Sequence, residues 1–174
     1  VQVYKQNQKG TFEQIIIDEK AGLFNAVSSF EDKGEEIILL GNLGENSKLK
    51  ASVEKPLWLY HHDFDSNEQE DPLIFHYMGE QLVPFASRDD LIKQIPSVKK
   101  KHASYVEYAK IKKPEHLFDT KILNEASKYK VENLKSGLLI KNKSGKYEFN
   151  PFPIEGQEDA DYINASKQTI TVAP

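Results

Sequence analysis

The chain of 174 residues contains no cysteine and no long apolar run. Without cysteine, disulfide bonds and thiolate chemistry are excluded, which agrees with a metal rather than disulfides as a stabilising device. No segment approaches the length of about 20 apolar residues that a membrane-spanning helix needs, and no signal peptide is recognisable. We therefore expect no membrane span.

The motifs of several enzyme classes are also missing. The glycines of segment 41–44 are not followed by Lys and Ser or Thr, so they do not form a phosphate-binding loop. Ser, His and Asp do not occur in a recognisable nucleophile motif. The sequence Ser87-Arg88-Asp89 is explained by helix capping. These absences favour a protein that is not an enzyme.

The remaining composition is that of an ordinary soluble globular protein. Hydrophobic residues make up 39% of the chain and the formal net charge is −4, which argues against a general nucleic-acid partner. The basic run 99–102 is too short to change this and is interpreted as a solvated helix face. The length suits one domain or a piece of a larger one. Because the chain begins directly with a strand-like segment, we interpret it as a fragment or a processed product.

Apolar runs separated by turn residues predict antiparallel hairpins over most of the chain. The predicted strand pairs are residues 1–5 with 11–17, 24–30 with 36–40, 56–62 with 72–78, and 137–141 with 147–150, and residues 81–84 form a further short strand. Between residues 87 and 127 the apolar period becomes helical, with a cap at Ser87, a helix over 97–111 and a short helix from Pro114. The helix over 97–111 has apolar residues roughly on one side, namely Val98, Ala103, Val106 and Ala109. The sequence predicts a mainly β fold with a helical insertion (α+β).

The loop 63–71, between two predicted strands, has oxygen-bearing side chains at its positions 1, 3, 5 and 9. A hard cation that takes six to eight oxygens, such as Ca²⁺, would remove the repulsion among them. The candidate ligands are the side chains of Asp63, Asp65, Asn67 and Asp71 and the backbone carbonyl of Gln69. The loop is too short for an EF-hand and lacks flanking helices. The alternative is an acidic surface turn in which Asx side chains cap their own backbone.

Three histidines lie on the two strands that flank this loop, namely His61, His62 and His76. A transition-metal or hydrolytic site with the carboxylates is an alternative to calcium. His61 and His62 point to opposite faces of a strand, so at most one could join His76. A metal-assisted hydrolase using the 63–71 loop would need an open coordination position. A third alternative is a structural fragment that binds no metal.

Two segments, 39–46 (LLGNLGEN) and 63–72 (DFDSNEQEDP), follow each other at a spacing found in a known family. They resemble the FG-GAP/VCBS-repeat proteins, which are integrin-α-like β-propellers and include the UnbV and cartilage-acidic-protein-like group. The first segment is similar to the family sequence that closes a strand, and the second is similar to its metal loop. Further similar segments are 55–60, 84–91, 94–101, 141–149 and 153–157. The match covers roughly residues 4–157, and its specificity lies in the order and spacing of the pieces.

The resemblance implies four-stranded propeller blades and Ca²⁺ in the hairpin loops. It assigns ligand positions to Asp63, Asp65, Asn67 and Asp71, and the carbonyl position to Gln69. Glu68 stands where the family carries glycine, and the equivalent loop 31–36 has lost the pattern, so no metal is expected there. Residues 1–157 would form about two blades with a helical insertion at about 87–127, followed by a weakly patterned tail over 158–174.

The resemblance also implies a location and partners. It predicts a non-enzymatic recognition or scaffold module that is extracellular, periplasmic or at the cell surface. The partner would be a protein or a glycan. The open side of the incomplete propeller would be completed by the remainder of a longer propeller chain or by a second copy.

Overall fold

The computed structural model describes residues 3–15, 17–18 and 21–153, and it is mainly β with a few short helices. The predicted class, antiparallel sheets with a helical insertion, is therefore confirmed. The chain divides into two compact units. The first comprises Val1–Lys48 and Asn133–Pro174, and the second comprises Leu49–Glu132. The predicted tail over residues 158–174 lies outside the described residues.

The described part of the first unit is built from strands. They are β1 (Val3–Gln6), β2 (Phe12–Ile15), β3 (Ile17–Asp18), β4 (Ala26–Asp32), β5 (Glu35–Gly41), β10 (Gly137–Lys141) and β11 (Tyr147–Pro151). β1 and β2 form a two-stranded antiparallel sheet, and the others form a five-stranded sheet in the order β3-β11-β10-β5-β4. All pairs in the larger sheet are antiparallel except β11 with β3.

Two hairpins of the first unit turn where the sequence predicts. β4 and β5 are joined by Lys33 and Gly34, whose φ angles are 52° and 83°. Positive φ at both central residues matches the twist of the flanking strands. Between β10 and β11, Asn142 Oδ1 accepts the N–H groups of Ser144 and Lys146 at 2.9 and 3.1 Å. This side chain replaces backbone partners that the turn lacks, and both predicted hairpins are confirmed.

Asn42 is a fully buried polar centre of the first unit, with 0% of its surface exposed. Its Oδ1 accepts the N–H groups of Leu23 and Leu43 at 2.9 and 2.8 Å. Its Nδ2 donates to the carbonyls of Asn133 and Lys135 at 3.0 and 3.2 Å. One amide therefore satisfies four backbone groups from three chain segments, which explains how a polar side chain is accommodated there.

The second unit combines a four-stranded sheet with short helices. In chain order its strands are β6 (Leu57–His62), β7 (Asp71–Met78), β8 (Gln81–Pro84) and β9 (Ser127–Val131). The helices between β8 and β9 are α1 (Arg88–Gln94), α2 (Val98–Lys101), α3 (Tyr105–Tyr108), a 3₁₀ turn (Pro114–His116) and α4 (Thr120–Glu125). The sheet order is β8-β7-β6-β9. The helical segment thus carries the chain from one edge of the sheet to the other, an order that differs from a simple four-strand meander.

The apolar core of the second unit lies between this sheet and the helices. Its fully buried side chains include Phe75 of β7 and Leu91 of α1, with Ile95 just after α1, each at 0% exposure. The other buried members are Phe64, Leu73, Val98, Ile111, Leu117, Phe118, Leu123 and Ala126. Burying a side chain of this size contributes roughly 1.5–3 kcal/mol. Helices this short are marginal on their own, so packing against the core supplies most of their stability.

α1 begins at the predicted cap. Ser87 Oγ accepts the N–H of Asp90 at 3.2 Å and donates to the Asp90 carboxylate at 2.6 Å. The pair satisfies one free backbone donor of the first turn and places an acid at the positive end of the helix. The predicted cap at Ser87 is therefore confirmed.

The single helix predicted over residues 97–111 is wrong, because the structure breaks it into α2 and α3. The Arg88 guanidinium donates to the carbonyls of His102 and Ala103 at 2.9 and 2.7 Å. These carbonyls are thereby held outside a continuous helical ladder, and Ser104 starts α3 by accepting the N–H of Glu107. Val98 and Val106, predicted to share one side of the helix, differ in burial: Val98 is buried, whereas Val106 is 69% exposed.

Candidate functional site

The predicted acidic loop joins β6 to β7 in an antiparallel hairpin. His62 at the end of β6 pairs with Asp71 at the start of β7, so residues 63–70 project from the base formed by this pair. Phe64 fixes the loop to the core: its ring is 5% exposed and stacks on Phe118 with centroids 4.3 Å apart. An apolar residue between two aspartates therefore anchors the loop, a role that we did not predict from the sequence.

Three carboxylates converge in this hairpin. Asp63, Asp65 and Asp71 each offer one oxygen, and these oxygens lie within 4.8 Å of one another. Two oxygens bound to one Ca²⁺ at 2.3–2.6 Å can be at most about 5 Å apart. The spacing of the three carboxylates therefore fits a shared cation of this size. Exposed acidic groups also cluster without a metal, so the surroundings of each oxygen matter.

Asp63 is held ionised by the loop backbone. Its two oxygens accept the N–H groups of Asn67 at 3.0 Å and Glu68 at 2.8 Å. Desolvation raises the pKa of Asp63, but hydrogen bonds from successive backbone N–H groups outweigh it, and the pKa is lowered. The loop is thus shaped to keep a negative charge at its first position.

Asp71 has the opposite tendency. Asp71 is 4% exposed, and its Oδ2 accepts the N–H of Phe64 at 3.1 Å. Burial raises the pKa of Asp71, and the charges of Asp65 and Asp63 raise it further, against the lowering effect of the hydrogen bonds from Phe64 and Gln94. The protein thus buries a carboxylate beside two others, an arrangement that a cation would relieve.

Asp65 has a buried oxygen, Oδ1, that receives no hydrogen bond from the described residues. A buried carboxylate oxygen without a partner is costly, and most such atoms in native proteins are satisfied. Among the described residues, no Lys or Arg forms an ion pair with any of the three aspartates. Asp65 Oδ1 therefore lacks a positive or hydrogen-bonding partner among the described residues, and one oxygen of the same carboxylate lies within 4.8 Å of those of Asp63 and Asp71.

The remaining two predicted ligands lie on the outer part of the loop. Asn67 and Gln69 are both exposed, and Asn67 Oδ1 accepts the N–H of Gln69 at 2.8 Å in an Asx turn. A carbonyl oxygen has two lone pairs, so this hydrogen bond leaves one free. The carboxylates of three predicted ligands, Asp63, Asp65 and Asp71, therefore lie close together. The other two, Asn67 and Gln69, belong to the same loop but are exposed.

The backbone of the loop is left-handed at two residues that carry side chains. Ser66 has a φ of 62° and Glu68 a φ of 68°. This conformation costs roughly 1–2 kcal/mol for residues other than glycine. Glu68 stands where the similar family loops carry glycine, and its N–H is the donor to Asp63. The strain at Glu68 is thus tied to the bond that holds the first carboxylate.

The histidines near the loop have separate surroundings. His61 Nδ1 lies 3.3 Å from Glu70 Oε2, and the His62 ring packs edge-on against Phe64 at 5.6 Å. His76 packs edge-on against Phe85, and burial lowers the pKa of His76. Within the described part of the chain, the carboxylate group that could share a metal contains no histidine.

Comparison of the chain with protein-family models, with curated proteins and with solved structures finds no match. The interpretation of the site therefore depends on the geometry of the hairpin and on the resemblance described above. In the part of the chain that the structure describes, no helix combines the length and apolar character needed to cross a membrane.

Proposed function

We propose that this chain is part of a non-enzymatic recognition or scaffold module whose second unit is stiffened by a structural Ca²⁺ in the hairpin loop 63–71. The single observation that carries the metal is the buried, unpartnered Oδ1 of Asp65 beside the carboxylates of Asp63 and Asp71. The cation would be bound by these three side chains, with Asn67 and the carbonyl of Gln69 completing the oxygen shell. Its role is to neutralise the loop and add binding free energy to folding.

The module itself is proposed from the resemblance to FG-GAP/VCBS-repeat proteins. Such a chain would be a portion of a β-propeller of about two blades, extracellular, periplasmic or at the cell surface, with a protein or glycan as its ligand. Antiparallel hairpins with short turns in both units support this proposal. The shared placement of the acidic loop between two strands supports it as well.

The test is a thermal melt in EDTA compared with one in excess Ca²⁺, with Mg²⁺ as the ion control. Ligand at about 100 times Kd adds roughly 2.7 kcal/mol, which raises Tm by about 5–10 °C for a chain of this size. Mg²⁺ should give less, because it demands near-ideal octahedral geometry and releases its waters reluctantly.

Two variants localise the effect. Asp65→Ala should abolish the Ca²⁺-dependent rise in Tm, because it removes the carboxylate whose oxygen has no other partner. Asp32→Ala is the matched control, since Asp32 is an exposed aspartate in the hairpin 31–36, where no metal is expected. An unchanged Tm in millimolar Ca²⁺ would refute the metal and leave a scaffold without one. A rise that survives in Asp65→Ala would place the ion elsewhere.

A further inference from the structure

The strand β4 is an edge of the five-stranded sheet of the first unit. All seven residues of β4 pair with β5, from Ala26 with Gly41 to Asp32 with Glu35. On its other side, no strand of the described residues pairs with it. Alternate residues of an edge strand direct their N–H and C=O groups away from the sheet, so β4 offers a row of hydrogen-bonding groups that no strand within the described ranges pairs with.

This edge has no proline, lysine or bulge to keep it unpaired, although its last two residues, Glu31 and Asp32, are charged. Six of the seven β4 residues, from Val27 to Asp32, are exposed, and the strand contains no proline, no basic residue and no break in register. The edges of the second unit's sheet differ. β8 has four residues and ends at Pro84, and β9 carries Lys128 and Lys130. Short length, proline and lysine are the devices that keep an edge unpaired.

The sequence of β4 is also compatible with its own antiparallel copy. When two β4 strands are centred on Ser29, all seven residues find a partner: Val27 faces Glu31, Ser28 faces Phe30, and Ala26 faces Asp32. No like charges then stand directly opposite each other, which is the condition for a stable cross-strand pair. β9 fails this condition, because centring two copies on Tyr129 sets Lys128 against Lys130.

The same register brings aromatic side chains together. Phe30 is 39% exposed in the single chain. In the paired strands the two copies of Phe30 are diagonal neighbours on one face, about 7–8 Å apart at the backbone and within reach of each other's rings. An exposed aromatic residue near the twofold axis thus gains a partner only when β4 is paired with itself.

We propose that β4 is a self-association surface, at which a second copy of this chain adds its β4 antiparallel to the first and continues the sheet across a twofold axis at Ser29. The occupant is a second copy because β4 matches its own antiparallel copy over all seven residues with no like charges opposite each other, whereas β8 and β9 have only four and five residues. The proposed contact involves the first unit alone and does not depend on Ca²⁺ binding at the loop of the second unit.

The test measures the monomer–dimer equilibrium of the full chain by sedimentation equilibrium. Two variants at the exposed position 27 distinguish an effect of the proposed register from an effect of losing the valine side chain. Val27→Lys sets a lysine opposite Glu31 of the other copy twice per dimer, and Val27→Glu sets a glutamate there instead. The dimer dissociation constant of Val27→Glu should exceed that of Val27→Lys by at least about fourfold.

A double variant tests the proposed pairing of residues 27 and 31 by reversing both charges. Val27→Glu combined with Glu31→Lys restores opposite charges across the axis, so the dissociation constant should return towards that of the wild type. Ser127→Glu on the exposed edge β9 is the control and should leave the equilibrium unchanged. Wild-type protein that stays monomeric up to about 1 mM, or equal dissociation constants for the two Val27 variants, would overturn the proposal.

Discussion

The substitution Glu68→Gly should stabilise the protein, although it removes a side chain. Glu68 has a φ of 68°, in the left-handed region. Relief of this strain is worth roughly 1–2 kcal/mol, and the greater freedom of glycine in the unfolded chain takes back roughly 0.5–1 kcal/mol. The net gain is centred on about 0.75 kcal/mol, or about 1.5–3 °C in Tm at this chain length.

The comparison needs variants that separate backbone strain from charge, because Glu68 also adds a negative charge to an acidic loop. Glu68→Ala removes the charge and keeps the strain, so the difference between the glycine and alanine variants reports φ alone. The same pair of substitutions at Glu70, which is outside the positive-φ set, gives the matched control. There glycine should be less stable than alanine by about 0.4–1 kcal/mol.

Chemical denaturation in EDTA measures all four variants without interference from a bound ion. The sign of the glycine-minus-alanine difference should be opposite at positions 68 and 70. A glycine at 68 that is no more stable than alanine would refute the left-handed conformation of this residue. The N–H of residue 68 donates to Asp63 at 2.8 Å in the wild type, and the glycine variant should retain this bond and therefore the response to Ca²⁺.

Two further substitutions test the buried polar groups. Asn42→Leu should destabilise the protein by about 3 kcal/mol or more in denaturant unfolding, because it removes the side-chain partner of four partly buried backbone groups and a fully buried group left unsatisfied costs roughly 1–3 kcal/mol. Asn124→Leu, at an exposed position in α4, should change stability little. Equal effects of the two substitutions would contradict the role of Asn42. Asp71→Asn should raise Tm in EDTA at neutral pH and abolish the response to Ca²⁺. Burial first, and then the charges of Asp65 and Asp63, raise the pKa of Asp71 above 3.8, so ionised Asp71 destabilises the folded state increasingly as pH rises from 3.8 through the folded pKa. The gain should therefore shrink as the pH is lowered towards 3.8, and a gain independent of pH would contradict this cause.

Local chemistry made much of the fold predictable from the sequence. The Lys33-Gly34 turn, the cap at Ser87 and the short strand β8 depend on residues within a few positions of one another, and the structure places each where it was predicted. Such signals work because turn and cap geometry is set by individual side chains that hydrogen-bond their own backbone or accept a positive φ.

Features that depend on distant residues were not predictable in this way. The break between α2 and α3 depends on Arg88, which lies 14 positions before His102. The burial of Asn42 depends on carbonyls of Asn133 and Lys135, more than 90 positions away. An apolar stripe or a turn-like sequence carries no information about a partner that arrives from another part of the chain.

The candidate site lies between these two cases. The spacing of Asp63, Asp65 and Asp71 was enough to predict that their carboxylates meet, because a short loop leaves them few alternatives. The burial of Asp71 and the anchoring of Phe64 against Phe118 were not predictable, since both depend on the helices that cover the sheet. The positive φ at Glu68 agrees with the glycine that similar loops carry at that position.

The pairing of β5 with β10 has a consequence for how the chain folds. Leu40 pairs with Gly137, which lies 97 positions further along the sequence, and the N–H of Gly44 donates to the carbonyl of Leu134 at 2.9 Å. Contacts at such separation are slow to form, because a long loop must close before the strands can meet. If residues 49–132 fold first, most of that loop is already compact when β5 and β10 search for each other. The topology therefore favours a folding order in which the inserted segment folds first and shortens the loop that β5 and β10 must close.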